Sequence, residues 1–219
     1  MGSRARRRPR PALYLKAPLD RLHAITDERV ARRPDVAARA PALAAGAGDR
    51  ITLHARGAEL TGREMYALAH LFVALCPRAH VFVNDRIDVA LAARAHGVQL
   101  RRTSLTPAEA RARGPQWWIG RSVHDVDEAR AAQAEGADYL VAGPVFPSAT
   151  HPDRPPLDPL TLERITGLGL PVIAIGGVTP GRIAALRAAG VYGVAAITAL
   201  WDAPDGAAAA REMVEELER

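Results

Sequence analysis

One short polar segment of this chain has the residue types that acid–base chemistry requires. Ser122 and His124 alternate in the sequence, so their side chains can point to the same side of an extended segment. His124 is the best candidate for a general acid or base, because a neutral histidine titrates near physiological pH. The alternative is that His124 or Asp125 only caps the helix that follows.

A glycine turn and a second helix start are candidates for binding a phosphate. The segment IGGV, residues 175–178, joins an apolar run to a helix start, and residues 196–198 open another short helical turn. Glycine lets main-chain N–H groups approach an anion, and a helix N-terminus supplies partial positive charge. We therefore predict phosphate binding at Gly176, Gly177, Ile197 and Thr198. The alternative is an ordinary tight turn.

Two other segments could contact a ligand. Asn84 and Asp85 could orient a substrate or bind a metal, although a single carboxylate is a poor Mg²⁺ site unless phosphates complete the coordination. Asp85 could equally cap a helix, and Arg56 could contact an anion or be an ordinary polar residue at a strand end. Residues 143–157, GPVFPSATHPDRPPL, form an unusually long irregular segment, typical of a binding loop or lid, or else of a solvated surface loop.

The elements that must position these residues alternate along the chain. Eight short apolar runs, each followed by a helical pattern, predict a closed parallel (β/α)₈ TIM barrel. The polar residues described above follow the apolar runs, so we expect them at the carboxyl ends of the strands, where active sites of this fold lie. The predicted strands are residues 22–25, 50–53, 81–83, 97–100, 117–119, 139–142, 171–175 and 191–196.

Composition favours an ordinary globular protein of one domain, residues 19–219. Five of the 29 basic residues lie in the first ten positions, leaving 24 to balance the 24 acidic residues, so we do not expect nucleic-acid binding. Residues 1–18 are predicted to be a basic, disordered or loosely attached extension. No apolar run reaches the length of a membrane span. Cys76 is the only cysteine, and a cytoplasmic location is predicted. A homo-oligomer is one option for the assembly of the protein.

Two long segments resemble the thiamine phosphate synthase superfamily. They are GRSVHDVDEARAAQAEGADYLVAGPVFPSATHPDRPPL and PVIAIGGVTPGRIAALRAAGVYGVAAITAL, and HAITDE and VNDRIDVALAARAHGVQL extend the likeness over about residues 22–217. The resemblance implies a (β/α)₈ barrel in thiamine biosynthesis. Its synthase branch uses Mg²⁺ to couple hydroxymethylpyrimidine diphosphate to thiazole phosphate. Its thiazole tautomerase branch aromatises a thiazole carboxylate phosphate by moving protons without a metal.

Departures from the synthase pattern favour the tautomerase branch. The synthase motif HxGQxD supplies a second Mg²⁺-binding Asp, whereas residues 99–104 read QLRRTS. His151 stands where a synthase has a Lys, and QxRxK has become HARGA at residues 54–58, which keeps only Arg56. VQL and GRSVH resemble the tautomerases as they stand. We therefore predict a thiazole tautomerase, an isomerase without a cofactor.

The resemblance also implies roles for individual residues. His124 would relay the proton, and the phosphate would rest on the four residues already named for it. A small phosphorylated thiazole would be the partner, and the predicted substrate contacts are Ser122, Arg56, Asn84, Thr150 and His151. One alternative is a thiamine phosphate synthase with Mg²⁺ at Asp85. Another is a non-catalytic phosphate-binding or regulatory barrel of the thiamine pathway.

Overall fold

Eight parallel strands form the centre of the molecule. The computed structural model describes residues 17–147 and 155–219. The strands pair in chain order and the last pairs with the first, so the sheet closes, which confirms the predicted (β/α)₈ barrel. They are β1 Leu22–Ile25, β2 Ile51–Ala55, β3 His80–Asn84, β4 Gly97–Leu100, β5 Trp118–Val123, β6 Tyr139–Ala142, β7 Val172–Ile175 and β8 Gly193–Ala196.

Helices surround this barrel. They are α1 Glu28–Ala31, α2 Val36–Gly46, α3 Gly62–Leu75, α4 Ile87–Ala92, α5 Pro107–Arg113, α6 Val126–Ala134, α7 Pro159–Thr166, α8 Pro180–Ala188, α9 Thr198–Trp201 and α10 Gly206–Glu218. None of the helices in the described part of the chain is long and apolar enough to cross a bilayer.

Helix starts follow the capping residues of the sequence. The Thr61 hydroxyl accepts a hydrogen bond from the main-chain N–H of Glu64, and the Glu64 carboxylate accepts one from the main-chain N–H of Thr61. This confirms the predicted capping box at α3. Thr179 occupies the predicted cap position of α8, but its side chain makes no capping hydrogen bond. Pro180 in the first turn, which needs no N–H partner, sets that start instead.

Two elements differ from the sequence prediction. β5 extends to Val123, beyond its predicted end at residue 119, so Ser122 lies within a strand and not after it. The short helix α1 was not predicted; it forms because the Asp27 carboxylate accepts the N–H of Val30 at 2.8 Å.

Apolar residues fill two separate regions. The larger lies between the strands and the helices, and the smaller lies inside the barrel. The interior cluster consists of Leu19, Ile25, Phe82, Tyr139, Val141, Ile173 and Ala195. Polar side chains share this interior and are fully buried there, chiefly His23, Thr52, His54 and Gln99. The barrel is therefore a packed support for whatever lies at its carboxyl end.

Candidate active site at the carboxyl ends of the strands

A chain of hydrogen bonds between imidazole rings leads through the barrel to Asn84. Nε2 of His23 lies 3.0 Å from the carbonyl oxygen of Asp20, and Nδ1 of His23 lies 2.8 Å from Nε2 of His54. Nδ1 of His54 lies 3.1 Å from the side-chain oxygen of Asn84, the last residue of β3. Desolvation lowers the pKa of His54 to about 4, and it lowers the pKa of His23 well below its ordinary value.

Both rings are therefore neutral, and this decides how Asn84 is held. Each neutral ring carries one N–H group, so the two rings supply two donors. The series has three contacts, and with an oxygen acceptor at each end it would need three donors. The Asp20 carbonyl cannot donate, but the Asn84 amide can turn and donate its NH₂ group to His54. His54 is thus a buried support for Asn84, because a neutral ring so enclosed cannot pair with an anion.

Asp85 is held by the loop that follows β4. Its Oδ1 accepts hydrogen bonds from the main-chain N–H of Arg101 at 2.8 Å and from the hydroxyl of Ser104. Its Oδ2 accepts a hydrogen bond from the Nε–H of Arg101. The side chain of Asp85 is 18% exposed and that of Arg101 is 62% exposed. Asp85 has a φ of 61°, which is uncommon for a residue other than glycine. The alternative of a helix cap is wrong, since Arg86 occupies the cap position of α4.

These residues do not fit the Mg²⁺ that the synthase resemblance implies. Both oxygens of Asp85 already accept hydrogen bonds, one of them from a cation. Among residues 17–147 and 155–219, no group of three or more His, Cys, Asp or Glu side chains could hold a metal ion. A divalent ion at Asp85 would have to displace Arg101 and would find a single protein carboxylate there.

Ser122 lies beside a small group of buried polar atoms. Its Oγ accepts a hydrogen bond of 3.0 Å from Nε2 of Gln99 on the neighbouring strand. Oε1 of Gln99 and the hydroxyl of Tyr139 have no hydrogen-bond partner among the described residues. A Cβ added to Gly120 would come within 2.1 Å of Gln99 Oε1 and 2.5 Å of the Tyr139 hydroxyl. The glycine therefore makes room for both groups beneath Ser122.

His124 holds the start of the loop after β6. Its Nδ1 lies 2.6 Å from the carbonyl oxygen of Gly143, so this nitrogen carries the proton. Its main-chain N–H donates to Oε2 of Glu128 at 2.8 Å. Asp125 is the cap of α6 and accepts the N–H of Glu128 at 2.7 Å. The cap alternative therefore belongs to Asp125, while His124 binds the loop.

The first residues of that loop pack on the glycine turn after β7. Val145 donates its N–H to the Ile175 carbonyl at 2.9 Å, and Phe146 donates to Gly176 at 3.1 Å. Gly176 and Gly177 have φ of 102° and 61°. A Cβ on Gly176 would lie 2.7 Å from Cα of Pro144, so only glycine permits this approach. Prediction of a phosphate site at this turn remains a proposal.

The start of α9 lies at the neighbouring strand end. β7 and β8 pair with Ile175 beside Ala195, which brings the glycine turn next to Ile197 and Thr198. The N–H groups of Gly177, Ile197 and Thr198 donate to no main-chain carbonyl in the described part of the chain. Three such N–H donors at two adjacent strand ends can donate hydrogen bonds to the oxygens of one phosphate.

The remaining predicted contacts are Arg56, Thr150 and His151. Arg56 follows β2, where its main-chain N–H and carbonyl both bond to the Thr26 hydroxyl, at 2.9 Å and 2.7 Å. Thr150 and His151 lie outside the described residues. Sequence reasoning missed two arginines: Arg101, and Arg182, which donates to the Gly177 carbonyl at 2.5 Å and stacks on Phe146. Their only sequence signal is a positive charge shortly after a strand.

Known proteins resemble the chain over most of its length. A thiamine-phosphate synthase of Salinispora tropica is 39% identical over 204 residues, covering 91% of this chain and 98% of that protein. A bifunctional thiamine-biosynthesis protein of Symbiobacterium thermophilum is 46% identical over 144 residues, which are 64% of this chain and only 30% of that larger protein. The structure of a thiamine phosphate pyrophosphorylase of Pyrococcus furiosus superposes with a TM-score of 0.77 at 32% identity, covering 91% and 96% of the two chains.

These relatives contradict the tautomerase prediction. Proteins aligned with nearly the whole chain are named for the synthase, which is a transferase and not an isomerase. The prediction was wrong because it counted each missing charge of the synthase motifs against that branch. Similarity over about 200 residues outweighs those few positions.

A family model described as thiamine monophosphate synthase matches residues 22–200. The match begins at the first residue of β1 and ends within α9, so it spans every strand of the barrel. It therefore includes the glycine turn, Asp85 and His124 alike. The chain belongs to the thiamine monophosphate synthase family.

Proposed function

We propose that this protein is a thiamine-phosphate synthase that joins a pyrimidine diphosphate ester to a thiazole phosphate. The names and coverage of its relatives support this activity. One feature of the geometry carries the proposal: the N–H groups of Gly177, Ile197 and Thr198 lie at adjacent strand ends and donate to no main-chain carbonyl of residues 17–147 and 155–219. In this proposal they bind the phosphate of the thiazole substrate, next to the glycine turn on which residues 144–146 pack.

The chemistry asks for placement and charge more than for proton transfer. The bond between the pyrimidine methylene carbon and the diphosphate oxygen breaks, and its electron pair leaves with the diphosphate. The lone pair of the thiazole nitrogen forms the new carbon–nitrogen bond, which gives a thiazolium and requires no proton. Stabilising the departing diphosphate and holding the two rings in line are therefore the tasks of the protein.

Individual residues receive roles that suit those tasks. We propose that His124 positions the loop through its hydrogen bond to Gly143, since no acid or base is needed. Ser122, Asn84 and Arg56 remain proposed substrate contacts because all three lie towards the carboxyl ends of strands: Arg56 follows β2, Asn84 ends β3 and Ser122 is the penultimate residue of β5. Thr150 and His151 of the loop are retained in the same role. Mg²⁺ would supply charge for the leaving group in the synthase branch, but Asp85 as it is held here does not provide its site.

Other expectations accompany this proposal. The partners are small phosphorylated pyrimidine and thiazole molecules, and no nucleic acid is expected. A cytoplasmic location and homo-oligomer formation remain predictions.

The test is direct synthesis. The purified full chain is mixed with hydroxymethylpyrimidine diphosphate and thiazole phosphate, once with Mg²⁺ and once with EDTA, and thiamine phosphate is measured by chromatography. We expect product that requires both substrates. A protein that binds thiazole phosphate but yields no product in either buffer would contradict the synthase and favour the non-catalytic barrel.

A further inference from the structure

We propose that the ion pair between Asp85 and Arg101 replaces a bound divalent cation, and that Arg101 itself holds the diphosphate leaving group. This inference rests on the proposed synthase function. The family resemblance implies Mg²⁺ at Asp85, whereas both carboxylate oxygens of that residue already accept hydrogen bonds.

The guanidinium of Arg101 is anchored on one side and open on the other. Its Nε donates to Oδ2 of Asp85, and its own main-chain N–H donates to Oδ1 at 2.8 Å. No described residue accepts a hydrogen bond from its two terminal nitrogens, and its side chain is 62% exposed. Those two NH₂ groups form the planar fork that binds phosphate oxygens in pairs. Arg101 thus offers donors that a diphosphate can use without breaking the anchor.

The surrounding loop keeps this guanidinium in place. Ser104 donates its hydroxyl to Asp85, which ties the loop to the end of β3 a second time. Arg121 on β5 donates to the carbonyl of Arg102 at 3.0 Å and to that of Leu105 at 2.8 Å. The loop after β4 is therefore fixed from both neighbouring strands. A donor fixed in advance loses less conformational freedom when its ligand binds.

The charge at this position also balances without a metal. A site with two carboxylates and Mg²⁺ has no net charge, and neither has the pair of Asp85 with Arg101. Ser104 ends the segment in which the synthase motif carries its second Asp, and it contributes a neutral donor to the first one. The positive charge that stabilises the leaving oxygen is thereby part of the polypeptide. The diphosphate departs with the electron pair of the broken bond. Its oxygens accept hydrogen bonds from the N–H groups of Arg101, and no proton is transferred.

Binding measurements on the full chain test this proposal separately from activity. Inorganic pyrophosphate is titrated into the protein in EDTA by calorimetry. In a second titration, without EDTA, MgCl₂ is added to the protein. We expect the wild type to bind pyrophosphate in EDTA, and Arg101→Gln to weaken it about 10- to 100-fold through the loss of charge-assisted donors. Arg101→Lys, which keeps the charge but not the fork, should fall between them. Arg130→Gln is the matched control, because Arg130 is an exposed residue of α6 that pairs only with Asp127 among the described residues.

A double variant tests whether a Mg²⁺ site can be restored at this position. Arg101→Gly combined with Ser104→Asp restores two carboxylates, and we expect it to bind Mg²⁺ and to bind pyrophosphate only with Mg²⁺. Thermal melting confirms that each variant folds. Equal pyrophosphate affinity of wild type and Arg101→Gln would overturn the proposal, and so would Mg²⁺ binding by the wild type that Asp85→Asn abolishes.

The outcomes distinguish this proposal from the synthase assignment. If thiamine phosphate forms only with Mg²⁺ and pyrophosphate does not bind in EDTA, the replacement of the metal is wrong and the synthase stands. If no thiamine phosphate forms while Arg101-dependent pyrophosphate binding persists, the synthase is wrong and Arg101 remains a diphosphate-binding residue.

Discussion

Oδ1 of Asp85 accepts the main-chain N–H of Arg101 at 2.8 Å, and Oδ2 of the same carboxylate pairs with the Arg101 side chain. One carboxylate thereby joins the carboxyl ends of β3 and β4. Asp85 adopts a φ of 61°, in the left-handed region, and its three acceptor contacts offset the cost of that conformation.

Replacement of Asp85 should separate the conformational cost from the contacts. Asp85→Ala loses the acceptors and keeps a side chain in the left-handed region, so we expect a loss of about 2–3 kcal/mol in the free energy of unfolding. Asp85→Gly loses the same acceptors without that conformational penalty, and it should be about 1 kcal/mol more stable than the alanine variant. Urea unfolding measures both. Equal stability of the two variants would contradict the role assigned to φ.

The glycine turn after β7 should not tolerate a side chain. Gly176→Ala places a Cβ 2.7 Å from Cα of Pro144 at a φ of 102°, so the loop after β6 must move. We expect a loss of about 2–4 kcal/mol in stability, typical of overpacking combined with backbone strain, and weaker binding of thiazole phosphate.

Gly136→Ala is the control for that variant. Gly136 has a φ of 86°, but no atom of the described residues beyond its chain neighbours lies within 4 Å of an added Cβ. It should cost only the strain, about 1 kcal/mol, and leave thiazole phosphate binding unchanged. Melting curves and a binding titration compare the two variants, and equal losses of affinity would show that the packing at Gly176 is irrelevant to the site.

Acid should destabilise the fold through the buried histidines. The pKa of His54 is lowered by desolvation to about 4, below the ordinary 6.5, so the unfolded ring takes up its proton first as the pH falls. Stability is therefore complete above pH 6.5 and is lost between pH 6.5 and pH 4, by about 3 kcal/mol for this ring. His23, whose pKa is also lowered, adds to the loss.

The variant His54→Gln isolates the contribution of His54. Unfolding free energies of wild type and variant are measured between pH 7 and pH 5, above the range in which most carboxylates titrate. Each ring that stays neutral in the fold contributes a slope of at most about 1.4 kcal/mol per pH unit, and the variant should lose one such contribution. The same slope in both proteins would show that His54 is charged in the folded state.

His124 should act by position and not by proton transfer. His124→Gln removes the hydrogen bond to Gly143 that starts the loop after β6. We expect kcat/KM for thiamine phosphate formation to fall about 10-fold, the size of one lost hydrogen bond, with an unchanged pH profile. A general acid or base typically contributes about 10²–10⁴-fold. A loss in that range, together with a missing limb of the pH profile, would contradict the positioning role.

The fold could be predicted from the sequence because its signals repeat. Eight apolar runs of strand length indicate the barrel, and the barrel places the carboxyl-terminal parts of its strands, where Asn84 and Ser122 lie, on one face. The extent of β5 could not be predicted, since Arg121 and Ser122 are polar and join the strand through pairing with its neighbours. Arg121 pairs with Leu100 of β4 and Leu140 of β6, and Ser122 pairs with Val141 of β6.

The contacts within the site were harder to predict. Arg101 is one of two adjacent arginines after a strand, and no spacing rule links it to Asp85, sixteen residues earlier. The series of hydrogen bonds from His23 through His54 to Asn84 likewise depends on the register of three strands. Motif losses at residues 99–104 and 54–58 suggested the wrong branch, because a sequence pattern does not show which other group supplies a charge in the fold.

Product formation from the two purified substrates tests most directly whether this chain makes thiamine phosphate, as we propose. The full chain is incubated with hydroxymethylpyrimidine diphosphate and thiazole phosphate, and thiamine phosphate and pyrophosphate are quantified over time. We predict equal amounts of the two products, formed only when both substrates are present. Absence of both products, from a folded protein that binds thiazole phosphate, would contradict this prediction.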